Sequence, residues 1–287
     1  MNILILSAGG PAGYGVIKSL KDMNFDGGIV SVDNDELAVG FHMSHKHYVV
    51  PKIDDEDYVK VIFRIVHKEK IDLILPTGPD IEPISKSAHL FEGKLFMSDY
   101  ESIMDCTDKW RFYNKCKDKF PLPKTFKGSK LFKKPVIGSG SRNCELVEFN
   151  SDEILSEYLP GQEYTIDVLC DMDSNPLVVI PRKRLQTKAG ISSKGEIIKD
   201  DFIEKACFDM CKFLKLKGPV CLQMKENSNG IPKFIEVNPR FGGGTYFTTL
   251  AGVNFMKIIF DVLENKEILI NEPKLIKVLR YYEEVII

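Results

Sequence analysis

The chain opens on an apolar run, NILILS at 2–7, which reads as a strand buried on both faces. Glycines follow at 9, 10, 13 and 15, and then the amphipathic VIKSLKDM, giving strand, glycine-rich turn and helix. GGIVSVD (27–33) predicts a second strand ending at Asp33, VKVIFRIVHKEK a helix by its apolar spacing, and IDLILPT (71–77) a third strand. Strand alternating with helix implies a parallel sheet covered on both faces, so residues 1–103 are expected to form a small α/β domain of Rossmann-like type.

Beyond residue 104 the pattern changes. DKWRFYNKCKDKF (108–120) predicts a short helix, followed by strands at KLFKKPV, ELVEF and ILSEYL. EYTIDVLCD and PLVVIPRKRLQ pair as a hairpin through Asp173-Ser174-Asn175. FIEKACFDMCKFLKL (202–216) is an amphipathic helix, GPVCLQM and KFIEVNPR are strands flanking Asn229-Gly230, and a helix at 255–264 precedes an apolar strand, VLRYYEEVI. Reading Asn229-Gly230 as a two-residue type I′ turn sets Gln223 opposite Glu236. Leu222 then meets Val237 and Met224 meets Ile235 on an apolar face. The other face carries Gln223, Glu236, Asn238 and, if the strand continues, Arg240.

The 287 residues suffice for two domains, and 44% apolar with 28% charged residues is ordinary for a globular chain. A net charge of -2 argues against a nucleic-acid or anionic-membrane surface. No run is long and apolar enough for a membrane span, and the N-terminus lacks the basic start of a signal peptide. Seven irregularly spaced cysteines fit free thiols of a reducing cytoplasm. His42, His45 and His47 read as a polar strand edge in preference to a metal site. The first glycine turn departs from G-x-G-x-x-G and contains Pro11, so a nicotinamide dinucleotide with Asp33 on its ribose is disfavoured. A packing turn, or a helix N-terminus holding a substrate carboxylate, both remain open there.

A carboxylate, two amide oxygens and a guanidinium on one strand face suit Mg²⁺, with Arg240 reaching phosphate oxygens. In E-V-N-P-R-F-G-G-G the proline stops the strand and the glycines free the chain to approach a ligand. FIEVNPRFGGG resembles the metal-binding strand of ATP-grasp enzymes, closest to the carbamoyl-phosphate-synthase-like branch that includes the pyrrolysine-biosynthetic ligase. That resemblance implies metal ligands at Gln223, Glu236 and Asn238. DKWRFY resembles the family's phosphate-contacting D-K motif, with Lys109 as the match. FKKPVIGSGSRN resembles the nucleotide-binding strand and glycine flap, implying Lys134 and the flap residues Gly138, Ser139, Gly140 and Ser141. SEYLPGQEYTID resembles the adenine hinge, with Glu157, Tyr158 and Leu159 reading the base and Glu163 binding the ribose. PRKRLQTKAGISSKG resembles the loop beside the transferred phosphate, where Arg182, Arg184, Lys188, Ser192 and Ser193 are candidates. ILPTGPDIEP resembles the domain that precedes the ATP-grasp domain in this family.

The implied architecture is a pre-ATP-grasp domain at 1–103 and an ATP-grasp domain at 104–287, with a lid subdomain at 115–165. That lid departs from the family: only NCELVEFNSDEI separates flap from hinge, so its usual helix is expected to be missing or reduced to one turn. The implied activity is a cytoplasmic ATP- and Mg²⁺-dependent ligase that activates a small-molecule carboxylate as an acyl phosphate and joins it to an amine, with two ions. Lys109, Lys134 and Arg240 would neutralise charge as the phosphoryl group moves, and Arg182 and Arg184, the other candidate catalytic residues, would contact phosphate or an anionic substrate. The alternatives are an ATP-binding protein or subunit without ligase chemistry and a nicotinamide-dependent reductase. The short C-terminus leaves a homo-oligomer or a partner chain as a way to complete the site.

Overall fold

The computed structural model describes residues 1–128, 130–137, 143–150, 152–281 and 283–286. Strands β1 (Asn2–Leu6), β2 (Gly28–Asp33), β3 (Lys46–Val49) and β4 (Leu73–Pro76) form a parallel sheet in the order β3-β2-β1-β4. Helices α1 (Pro11–Asp22), α2 (Tyr58–Lys68), α3 (Ile81–Lys86) and α4 (Tyr100–Thr107) accompany it. β1 lies between β2 and β4, and Ile3 to Leu6 are completely buried, which is why the run carries no polar alternation. α1 starts on Pro11, which needs no N–H there. A Cβ at Gly13 would stand 2.6 Å from the Ser7 carbonyl oxygen, so glycine is what lets helix and strand pack. The glycine turn is tied down by Asp33, whose Oδ2 accepts from the Gly9 N–H at 2.8 Å. That carboxylate is thus spent on the turn.

α5 (Lys109–Cys116) leads into two small antiparallel pairs, β5 (Thr125–Lys127) with β8 (Ile154–Ser156) and β6 (Lys130–Lys133) with β7 (Glu145–Glu148). β7 and β8 are joined by five residues, with a turn in which Glu153 N–H donates to Asn150 O. Among the described residues there is no helix in this segment, as the short spacing predicted.

The main sheet is antiparallel, built from β9 (Glu163–Cys170), β10 (Pro176–Lys188), β11 (Ile191–Ile197), β12 (Gly218–Glu226), β13 (Pro232–Asn238) and β14 (Lys277–Leu279) in the order β13-β12-β9-β10-β11-β14. α6 (Asp201–Phe213) covers one face, burying Ile203, Cys207 and Met210 against Ile166, Val168, Leu222 and Phe234. On the other side, α7 (Thr245–Leu250) and α8 (Phe255–Leu263) share a core with α1: Val16, Ile17, Phe247, Phe255 and Ile259 are one apolar cluster with Ile3, Leu169 and Ile180.

Three sequence expectations need correction. The type I′ turn belongs to β10–β11, where Ala189 and Gly190 have φ of 48° and 75° between the paired Lys188 and Ile191. In β12–β13 only Gly230 is left-handed, and Glu226 pairs with Pro232 across a five-residue loop. Asn227 Oδ1 organises that loop by accepting from the N–H groups of Asn229 and Ile231 at 2.9 and 3.0 Å. The loop displaces the register by one residue, so Met224 faces Phe234, not Ile235. A bulge between the Met224 and Gln223 pairings restores it, and Gln223 faces Glu236 as expected. The last strand is also much shorter than VLRYYEEVI, and α3, α4, α7 and β11 were not foreseen.

Six of the seven cysteines are buried, and burial pushes the thiols of Cys207 and Cys211 well above their usual range. His45 Nδ1 accepts from Ile29 N–H at 3.0 Å and His47 stacks on Phe41 at 4.6 Å, as befits an edge strand. No helix is long and apolar enough to cross a membrane among the described residues.

Candidate active site

Two cavities flank the β12–β13 hairpin. The first, ≈ 380 Å³, lies between α5, the lid strands and β13. Its walls are Phe112, Tyr113, Leu122, Pro123, Leu159, Phe234 and Ile235, with Lys109 and Lys225 at polar positions. Lys109 is placed there because Asp108 caps α5, accepting from the N–H groups of Trp110 and Arg111 at 2.9 Å each. Glu157, Tyr158 and Leu159 pass along one side. Glu157 is engaged by the protein itself. Its N–H donates to Lys124 O at 2.8 Å, and its carboxylate accepts from Lys233 Nζ at 2.7 and 2.9 Å. The Lys233 hydrogen bond first, and then the Lys124 N–H donating to Oε2 at 3.1 Å, hold its carboxyl below the usual range. Of the hinge, Tyr158 and Leu159 are left to meet a ligand.

The second cavity, ≈ 290 Å³, is shared by both domains. The antiparallel-sheet side supplies Arg182, Arg184, Ser192, Gln223, Asn238 and Arg240. The first domain supplies Ser7, Gly10–Ala12 and Thr77–Pro79, the ends of β1 and β4 and the start of α1. Arg184 Nη1 donates to Glu163 Oε1 at 2.5 Å and to Gln223 Oε1 at 3.1 Å, and its Nη2 to Gly190 O. Arg240 Nη2 donates to Asn238 Oδ1 at 3.2 Å. Arg182 is completely buried, and its Nη1 donates to Asp167 Oδ2 at 2.7 Å. Thr245 and Thr248 hydroxyls also donate to Asp167, at 3.1 and 2.7 Å.

β13 joins the cavities. Phe234 and Val237 are buried in the α6 core while Ile235 and Glu236, side by side at the bulge, are half-buried. Ile235 lines the first cavity, Asn238 the second, and Glu236 stands between them in sequence. The Glu236 carboxylate makes no hydrogen bond or ion pair among the described residues, and the amide oxygens of Gln223 and Asn238 serve as acceptors to guanidinium groups. This all-oxygen donor set fits a hard divalent ion such as Mg²⁺.

The structure therefore brings Lys109, Tyr158 and Leu159 to the first cavity, and Arg182, Arg184, Gln223, Asn238 and Arg240 to the second. Glu163 meets Arg184, whereas Lys134 is exposed after β6 and lines neither cavity. Ser192 lines the second cavity, but Ser193 turns its hydroxyl to Gln186 O at 3.1 Å. Gly138, Ser139, Gly140 and Ser141 lie outside the described residues. Sequence reasoning missed Ile235, assigned to the apolar core, and the Thr77–Pro79 turn as a cavity wall. It also missed Asp167, whose only signal was a carboxylate inside the apolar strand EYTIDVLCD.

Comparison with known proteins bears on both domains. Residues 149–284 match a family model described as an ATP-grasp in the biosynthetic pathway with Ter operon, and residues 3–92 match the PylC-like N-terminal domain. A tyramine–L-glutamate ligase of Methanocaldococcus fervens is 24% identical over 217 residues, 73% of this chain and 71% of that protein. N5-carboxyaminoimidazole synthetase from Staphylococcus aureus, complexed with ADP, superposes with a TM-score of 0.68 at 15% identity, covering 96% of this chain and 79% of that one. L-amino acid ligase from Bacillus licheniformis gives 0.62 at 15% identity, covering 92% and 74%. With an ATP-grasp family-model match over the residues that carry Arg182, Gln223, Glu236 and Asn238, and a PylC-like match over the residues that close the second cavity, the chain has the fold of the ATP-grasp proteins, a PylC-like N-terminal domain followed by an ATP-grasp domain.

Proposed function

We propose that this protein is a carboxylate–amine ligase that uses Mg·ATP to form an acyl phosphate, which an amine then captures. The observation that carries the reading is the course of the β12–β13 hairpin: it supplies an apolar wall, Phe234 and Ile235, to the first cavity and two amide oxygens, of Gln223 and Asn238, to the second, as a nucleotide base and a reacting phosphate would need. The first cavity has the size and apolar lining that an adenine ring needs, with backbone at Tyr158 and Leu159 for its edge. Lys109 stands beside the path of the phosphates. Gln223, Glu236 and Asn238 are the residues that would hold Mg²⁺, which when bound neutralises charge on the phosphates.

In this reading Arg240 and Arg184 hold phosphoryl oxygens, exchanging their contacts with Asn238 and Gln223 for the ligand. The substrate carboxylate attacks the γ-phosphorus, the bond to the β-phosphate oxygen breaks, and ADP leaves. The amine then attacks the acyl carbon, a proton is lost from nitrogen, and inorganic phosphate departs. The protein contributes position and fixed positive charge. The relatives support the substrate class: the tyramine–L-glutamate ligase and the L-amino acid ligase are both named for joining an acid to an amine.

ADP release from Mg·ATP, measured against pools of amino acids, other small carboxylates and amines, tests the proposal. Release that needs both an acid and an amine, and falls on the order of 10²-fold in Glu236→Ala, is expected. Release indifferent to every acid, or retained in that variant, would refute it.

A further inference from the structure

The second cavity holds more positive charge than the reaction uses. Its walls carry three guanidinium groups, Arg182, Arg184 and Arg240, and no carboxylate. Arg184 and Arg240 are turned to the oxygens of Gln223 and Asn238, at the metal face. Arg182 is different. It is fully buried, its Nη1 alone is paired, and its Nε and Nη2 have no partner. Asp167 cannot supply more, since it also receives Thr245 and Thr248. A buried, unpaired guanidinium edge is costly, and so points to a ligand that completes it.

The same corner contains the start of α1. This 12-residue helix has glycine at its N-cap, no side-chain cap and no acidic residue in its first turn, and Gly10, Pro11 and Ala12 line the cavity. Its first-turn N–H groups and positive dipole end therefore face an uncapped space. The two features are neighbours. Gly243 packs near Pro11, Gly244 lies against the Arg182 guanidinium, and the two glycines adjoin in sequence. A fourth cation, Arg280, donates to Gly243 O and shares the Phe247 ring with Arg182, at 4.9 and 5.4 Å.

We infer that the acid substrate is a short dicarboxylic acid: its reacting carboxylate faces Gln223, Glu236 and Asn238, and its second carboxylate is clamped between the N-terminus of α1 and Arg182. This inference rests on the ligase reading for the first carboxylate, but the clamp has its own test. Arg182→Ala would leave Asp167 buried without its partner and endanger folding. Gly10→Asp avoids that. Gly10 has the extended conformation of an N-cap, φ -77° and ψ 158°, and its Cβ would meet nothing nearer than the Ser7 carbonyl oxygen at 3.6 Å. An aspartate there caps α1 and fills the clamp with an internal anion.

The full-length protein, with Mg²⁺ and a non-hydrolysable ATP analogue, is titrated calorimetrically with glutarate, L-glutamate, butyrate and 4-phosphonobutyrate. Wild type is expected to bind the dicarboxylates at least about tenfold more tightly than butyrate, and Gly10→Asp to lose that preference while keeping nucleotide affinity and melting temperature. Equal affinity for butyrate and glutarate in wild type, or a preference that survives Gly10→Asp, overturns the inference. Tighter binding of the phosphonate than of glutarate overturns its assignment to a carboxylate. ADP release with monocarboxylates as readily as with dicarboxylates retires the clamp and leaves the ligase reading standing. Clamp-dependent glutarate binding without ADP release for any acid and amine does the reverse.

Discussion

Asp80 is completely buried, accepts the Ser7 hydroxyl on Oδ1, and has no partner for Oδ2. Burial pushes its pKa up to about 6, opposed by the Ser7 hydrogen bond. A carboxyl whose folded pKa lies above its unfolded value near 4 holds its proton in the native state after the unfolded chain has released it. Stability therefore falls as pH rises from about 4 to about 6 and is level above, by on the order of 3 kcal/mol in all. Asp80→Asn should lack this slope, so the gap between wild type and variant in urea denaturation widens from pH 4 to 6 and then holds constant; a constant gap throughout would contradict the assignment. Asp167 makes the opposite case, being fully paired. Asp167→Ala should strand the buried Arg182 charge and cost about 3–5 kcal/mol by denaturant unfolding. Arg182 was legible in the sequence as a candidate anion contact. Its burial against Asp167 was not, because the two lie on different strands, β9 and β10, whose register the motif does not encode.

The β12–β13 hairpin shows how an element can be right at its functional end and wrong at its turn. Asn229-Gly230 carries the strongest two-residue turn signal, yet the Asn227 side chain builds a five-residue loop instead. The one-residue slip that follows would ordinarily invert every side chain, and the bulge at Ile235 cancels it before Gln223 and Glu236 meet. The extra residue is what gives the open face both an apolar wall and a carboxylate. Deleting Ile235 should leave the alternation of Phe234, Glu236, Val237 and Asn238 intact. The variant is then expected to fold with Glu236 still opposite Gln223 and to bind ATP roughly tenfold more weakly, since one apolar wall of the first cavity is gone. Unchanged nucleotide affinity by calorimetry would show that Ile235 does not meet the base.

At the scale of the whole molecule, the two domains share both a core and a cavity. α1 packs on α7 and α8, Ser19 and Thr249 hydroxyls meet at 2.8 Å, and Asn254 Nδ2 donates to Ser19 O at 2.7 Å. Such continuity predicts one cooperative thermal transition, with equal calorimetric and van't Hoff enthalpies; two resolved transitions would contradict it. The alternation of strands and helices made the parallel domain legible, and the order of short motifs made the ATP-grasp fold legible. How the ends of β1 and β4 wall the second cavity was not readable, since it depends on a docking between segments more than 100 residues apart.

In the proposed reaction a carboxylate attacks the γ-phosphate at the face formed by Gln223, Glu236 and Asn238. Once an acid and amine pair supports turnover, the most direct test is to supply that acid with ¹⁸O in its carboxylate and follow the label by mass spectrometry. Transfer of one ¹⁸O into inorganic phosphate, abolished in Glu236→Ala, is the predicted result. Unlabelled phosphate, or label found in AMP, would contradict an acyl phosphate route.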